Sequence, residues 1–114
     1  MTPGDIILVS FPFTALNAVK KRPALILLTT TLKNKTDLIT IAMITSKLDG
    51  ISLPGDLSLQ DWQSAKLLHP SLVRLAKVAT IETCLVEKRL GKLSPKDFKA
   101  VGQLWRQLFE PCWL

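Results

Sequence analysis

Over most of the chain the apolar residues fall in short runs broken by turn residues, which is a strand pattern rather than a helix pattern. Asp5–Phe11 is β-branched and aromatic, follows Gly4 and is stopped by Pro12, so it reads as a strand. Pro23 opens the continuous apolar run 24–28, which suits a strand buried on both faces. Thr29, Thr30 and Thr31 either prolong that strand or leave it. Residues 38–44 form a third β-branched run. Between the first two strands, residues 13–21 carry no period and read as a loop, and Lys33-Asn34-Lys35 reads as a turn. Asp49-Gly50 and Pro54-Gly55 are further turns, with room between them for a short edge strand at 51–53. One helical turn is expected around Trp62, a strand over 71–76 and another short apolar patch at 78–81. Residues 83–90 are open between strand and helix.

The last segment has the other period. Ser94-Pro95-Lys96-Asp97 is a helix start, with Ser as N-cap, Pro in the first turn and an acid at the third position. Phe98, Val101, Trp105 and Leu108 then recur at spacings of three and four, with Leu104 beside Trp105. This predicts an amphipathic helix ending near Phe109, before Pro111. Gly102 weakens it by about 1 kcal/mol relative to Ala. Several short strands followed by one helix predict a mainly β domain, a small barrel or curled sheet with an appended C-terminal helix. No repeat or linker divides the 114 residues, so a single domain over 1–114 is expected.

Composition narrows the function classes. Hydrophobic residues make up 47% of the chain, enough for a folded core. The longest uninterrupted apolar run, 24–28, falls far short of the ~20 residues a membrane span needs. Met1-Thr2-Pro3-Gly4-Asp5 lacks the basic flank and apolar stretch of a secretory leader, so a cytoplasmic location is expected. Cys84 and Cys112 fit that location as reduced thiols. With two cysteines and one histidine, His69, a structural zinc site within one chain is not expected, and no cofactor is implied. The 15 basic and 9 acidic residues leave a net charge of +6, shared equally between the halves. Lys20, Lys21, Arg22, Lys33 and Lys35 nevertheless crowd one stretch free of acids until Asp37, a candidate anion-binding patch.

Candidate chemistry is sparse. Phosphate loops, dinucleotide fingerprints and nucleophile elbows are absent from the sequence. His69 precedes Pro70 with no orienting acid nearby and reads as a loop histidine. Arg22 stands at the mouth of the apolar strand 24–28, directly before Pro23. It either reaches a phosphate while Lys20 and Lys21 cover the backbone, or joins them in a solvated strand entrance. Thr45 and Ser46 follow the third strand, where two hydroxyls either cap the next turn or donate to a phosphate oxygen. Trp62, Trp105 and Trp113 are expected to pack in the core or a subunit interface rather than to stack on bases. Trp113-Leu114 is expected to pack on the body or on a partner chain.

The segment from Gly4 to Thr14 resembles the opening of the PemK/MazF family of toxin endoribonucleases, and so does Lys20-Lys21-Arg22-Pro23-Ala24-Leu25-Ile26-Leu27. Ile41-Ala42-Met43-Ile44-Thr45-Ser46 is similar to a third block of that family. Pro70-Ser71-Leu72-Val73-Arg74-Leu75 with Lys77-Val78-Ala79-Thr80-Ile81 is similar to a fourth, and Leu90-Gly91-Lys92-Leu93-Ser94 to a fifth. Each block alone is weak; five in order along nearly the whole chain are fairly specific. The resemblance implies an SH3-like small barrel, as in the PemK, MazF and CcdB toxins, and a homodimer. It implies metal-independent, sequence-selective cleavage of single-stranded RNA, neutralised by a cognate antitoxin, with operator DNA reached only as a complex with that antitoxin. By the same resemblance Arg22 and Thr45 are catalytic, and Lys20, Lys21, Ser46 and Arg74 lie toward the substrate.

The chemistry agrees with these assignments. In metal-free cleavage the adjacent 2′-oxygen attacks phosphorus, the 5′-oxygen leaves and charge grows on the non-bridging oxygens. A guanidinium donates two hydrogen bonds to that charge and stays protonated at neutral pH. A threonine hydroxyl donates or relays a hydrogen bond but is too weak an acid to serve as an efficient general base. Some family members carry an acid two positions after the arginine of the fourth block, where this chain has Ala76, and residues 14–19 also lack an acid. The general base is thus unassigned. Two other readings stay open at this point: a CcdB-like toxin that binds gyrase, and a non-catalytic nucleic-acid-binding relative.

Overall fold

A computed structural model describes residues 1–11, 20–32 and 37–114, the side chains of Phe11 and Lys20 excepted. Among the described residues six strands, β1 (Asp5–Phe11), β2 (Lys20–Thr30), β3 (Leu38–Thr45), β4 (Asp56–Ser58), β5 (Leu72–Glu82) and β6 (Val86–Lys92), precede one α-helix, α1 (Pro95–Phe109). They form one antiparallel sheet in the order β4-β5-β3-β2-β1-β6. The mainly β architecture with a C-terminal helix is the one the apolar pattern predicts.

Strand β2 is buried on both faces at its centre, because alternate side chains enter two separate cores. Leu25 joins Ile6, Ala42, Ile44, Val73 and Leu75 on the face covered by α1. Ala24 and Ile26 join Ile7, Val9, Ile39 and Ile41 on the other face. The strand starts earlier than its apolar run, taking in Lys20, Lys21, Arg22 and Pro23. Proline is tolerated there because β3 pairs only from Ala24 onward, so no N–H is required of residue 23 on that side. The proposed loop over 13–21 otherwise lies outside the described residues, as does the turn at Lys33-Asn34-Lys35.

Three expectations need correction. The edge strand is β4, not 51–53: Gly55 takes a positive φ of 91°, and Leu53 N–H donates to Asp56 Oδ2 at 2.9 Å, so the chain turns before it pairs. Residues 71–76 and 78–81 are not two pieces but one eleven-residue strand, β5. A register shift lets Ala42 face Val78 while Met43 faces Arg74, so residues 75–77 bulge and bend the strand. Trp113 and Leu114 do not pack on the body; both are exposed. Residues 83–85 form a single 3₁₀ turn before β6.

The helix starts as its cap predicts, with Ser94 Oγ accepting from Asp97 N–H at 3.2 Å. Asp97 has a second role that spacing does not reveal. It is buried, and its carboxylate accepts from the backbone N–H groups of Gln60 (3.0 Å) and Asp61 (2.9 Å). Ser94 Oγ also donates to Asp61 Oδ2 at 2.6 Å. The start of α1 therefore anchors the connection between β4 and β5, which holds the turn around Trp62 and returns across the sheet. Leu59, Ala65 and Leu67 of that connection are buried in the same core as Val101 of α1. Among the described residues no helix is long and apolar enough to cross a membrane.

Candidate functional site

A cleft of about 470 Å³ opens where β1, β2, β3 and β6 meet the connection that precedes β5. Its floor is apolar, with Leu8, Pro23, Ile44, Leu67 and Leu90. Its polar lining comes from every side: Arg22 from β2, Thr45 with Ser46 and Lys47 from the end of β3, Lys88 from β6, and Lys66, His69 and Ser71 from the connection.

Backbone register brings Arg22 and Thr45 together. The β2–β3 ladder pairs Ala24 with Met43 and Leu25 with Ala42. One further pair of steps along the same register sets Arg22 opposite Thr45, just beyond the last ladder pair. Side chains on directly opposed residues are near neighbours. Thr45 is half-buried, and its Oγ1 accepts from Lys47 N–H at 3.1 Å. That contact caps the turn after β3 and occupies a lone pair, leaving the O–H proton to be donated outward. The cap is thus the use the structure shows, and the O–H is left available for the other.

The other sequence-predicted residues divide. Ser46 is exposed at the cleft. Lys21 lies away from it, paired with Glu87 (3.7 Å), which also accepts from Ser10 Oγ at 2.7 Å. The Ser10 hydrogen bond, with the Lys21 charge behind it, holds the Glu87 carboxyl below its ordinary value of 4.5. The backbone of Lys20 pairs with Phe11, and its side chain lies outside the described residues. Arg74 does not line the cleft. It faces Asp56 across the β4–β5 ladder, its Nε lies 3.8 Å from Asp56 Oδ1, and its Nη2 donates to Ile51 C=O at 3.0 Å.

Five polar lining residues escaped the sequence reading as site residues: Lys47, Lys66, His69, Ser71 and Lys88. They come from three separate segments, so no local spacing marks them. Lys66 alone carries a structural sign, being the non-glycine residue with a positive φ (65°) among the described residues. A left-handed lysine costs on the order of 1–2 kcal/mol, and such strain concentrates at functional sites.

A cleft with one guanidinium, three ammonium groups and three hydroxyls, and no carboxylate among its described lining residues, has the chemistry to hold an anion and lies on a small antiparallel β domain. The sequence then gives the family. Residues 2–109 match the family described as PemK-like, MazF-like toxin of type II toxin–antitoxin systems, and the chain belongs to it.

Similar solved structures share the fold. An endoribonuclease in complex with its cognate antitoxin from Mycobacterial species aligns over 100% of this chain and 99% of that one, at 13% identity and a TM-score of 0.74. The Mycobacterium tuberculosis toxin MazF-mt6 aligns over 93% and 96%, at 23% identity and 0.66. MazF from Deinococcus radiodurans aligns over 96% of both chains, at 16% identity and 0.66. The expected SH3-like toxin fold is therefore the fold observed. No curated protein matches the chain.

Proposed function

We propose that this chain is a single-domain, metal-independent endoribonuclease toxin that cleaves single-stranded RNA at a short sequence by attack of the adjacent 2′-oxygen. The observation that carries this reading is the opposition of Arg22 and Thr45 at the end of the β2–β3 ladder, inside a cleft lined by cations and hydroxyls. The cleft has the volume of a small-ligand site, and its apolar floor suits a base or ribose while its rim suits the backbone. Arg22 donates to the non-bridging oxygens as charge develops there. Thr45 directs its remaining proton at the same phosphate. Ser46, Lys47 and Lys88 hold the flanking phosphates, and Lys20 and Lys21, further along β2, meet RNA that runs on beyond the cleft. The 2′-oxygen requirement selects RNA over DNA.

Membership in the family supports a cognate antitoxin as partner, a homodimer as the working form, operator DNA bound only with the antitoxin, and a cytoplasmic setting. The test uses antitoxin-free protein, a long single-stranded RNA and EDTA. Fragments with 5′-OH ends are expected, DNA of the same sequence should stay intact, and both Arg22→Ala and Thr45→Ala should lose cleavage while remaining folded. Intact RNA with folded wild-type protein would overturn the reading.

A further inference from the structure

Attack by the 2′-oxygen requires a group that takes its proton, and Arg22 and Thr45 are poorly suited to that task. Ammonium groups carry no acceptor lone pair, and the hydroxyls of Thr45, Ser46 and Ser71 are weak bases. Asp and Glu are absent from the described lining residues. The two segments outside the described residues, 12–19 and 33–36, contain no Asp, Glu or His in sequence. One lining side chain remains of the type that most often serves as a general base: His69, the single histidine of the chain.

The loop that carries His69 is anchored on both sides. Before it, Ala65 and Leu67 are buried, and Leu67 N–H donates to Trp62 C=O at 3.1 Å. After it, the buried Ser71 donates through Oγ to the His69 carbonyl at 2.8 Å, and Leu59 N–H donates to Ser71 C=O at 3.0 Å. The imidazole itself is exposed at the cleft. A fixed backbone with a solvent-facing imidazole suits a group that exchanges protons at each turnover. The charged groups lining the cleft with it are Lys66 of its own loop, Lys47 after β3, Lys88 of β6 and Arg22 of β2, all cationic.

We propose that His69 is the general base of this cleft, taking the 2′-OH proton of bound single-stranded RNA. This rests on the ribonuclease reading above. In the step, neutral imidazole accepts the proton as the O2′–P bond forms and the P–O5′ bond breaks. The departing 5′-oxygen takes a proton from water, and the imidazolium returns its own to solvent. The products are a 2′,3′-cyclic phosphate and a 5′-OH end.

The test maps one cut in a long RNA and then follows an oligonucleotide spanning that cut, in EDTA, from pH 5 to 9. Wild-type kcat is expected to fall along a limb toward low pH. His69→Ala and His69→Gln should lose about 10²-fold or more in kcat and lose that limb, with melting temperatures unchanged. Added imidazole should restore part of the His69→Ala rate. Wild-type rates and an unchanged limb in both variants would overturn the proposal while leaving the ribonuclease reading intact. So would full recovery of His69→Ala on a substrate with a bridging 5′-sulfur, since that leaving group needs no proton and recovery would mark His69 as an acid. An inactive wild-type protein, or cleavage undiminished by Arg22→Ala, defeats the ribonuclease reading itself and this assignment with it.

Discussion

The carbonyl oxygen of Ala65 lies 2.5 Å from the place where a Cβ on Gly91 would stand. Gly91 belongs to β6, an edge strand of the sheet, and Ala65 to the connection before β5 that carries Lys66 and His69 into the cleft. The contact is backbone against backbone, so neither partner can swing aside as a flexible side chain would. Glycine at position 91 therefore sets how closely the connection lies on the sheet, and with it one wall of the cleft.

Gly91→Ala should destabilise the protein by about 1–3 kcal/mol through overpacking. Because it displaces the wall bearing Lys66 and His69, it should also lower activity more than its effect on the folded fraction explains. Denaturant melts with kinetics on the fully folded protein check both; unchanged stability would mean that the connection moves freely.

Arg74 makes the opposite kind of prediction. Asp56 Oδ1 is buried with no hydrogen-bond partner, and the Arg74 guanidinium 3.8 Å away is the charge recorded beside it. Removing that charge leaves a buried carboxylate uncompensated. Arg74→Ala should cost about 1–3 kcal/mol of stability, with the kcat of the folded fraction little changed. A Tm equal to wild type with reduced RNA affinity would instead assign Arg74 to substrate.

Lys47, just after β3, and Lys88 of β6 rim the cleft from two separate segments. If each neutralises one phosphate, each Lys→Ala change should reduce the slope of log K against log salt for single-stranded RNA by about 0.7. Stability should shift by no more than about 0.5 kcal/mol, as for other surface substitutions. Filter binding of an inactive Arg22→Ala background across a salt series gives the slopes.

The Glu87 carboxyl titrates below its ordinary value of 4.5 because Ser10 donates to it and Lys21 stands beside it. A depressed carboxylate contributes stability that is present above its unfolded value and lost as pH falls through its folded value. Tm should therefore decline slightly more between pH 5 and 3 in wild type than in Glu87→Gln. Both side chains are exposed, which keeps the difference small. Thermal melts over that pH range would show it, and an identical decline in both proteins would refute it.

Local signals carried what could be read from the chain directly. Strand β1 was legible because Gly4 and Pro12 bracket an unbroken β-branched run. Helix α1 was legible because its cap lies within four residues, and Ser94 caps it as expected. Arg22 and Thr45 were legible through family blocks rather than spacing, since they lie 23 positions apart (45 − 22). Strand β5 was misread as two pieces because its bulge at 75–77 is set by pairing with β3, which Ala76 and Lys77 do not announce.

The sequence by itself determined the local conformations, the two apolar faces of the strands and the family. Each depends on the order of neighbouring side chains. Tertiary structure alone decided which distant residues share a site. Register across β2 and β3 placed Arg22 against Thr45, and the connection held by Asp97 and Gly91 brought Lys66 and His69 to the same cleft. It also took Arg74 out of that group, by facing it to Asp56 across β4 and β5. The physical reason is that hydrogen-bond register and close backbone contact act between segments far apart in the chain, where no local pattern of residues records them.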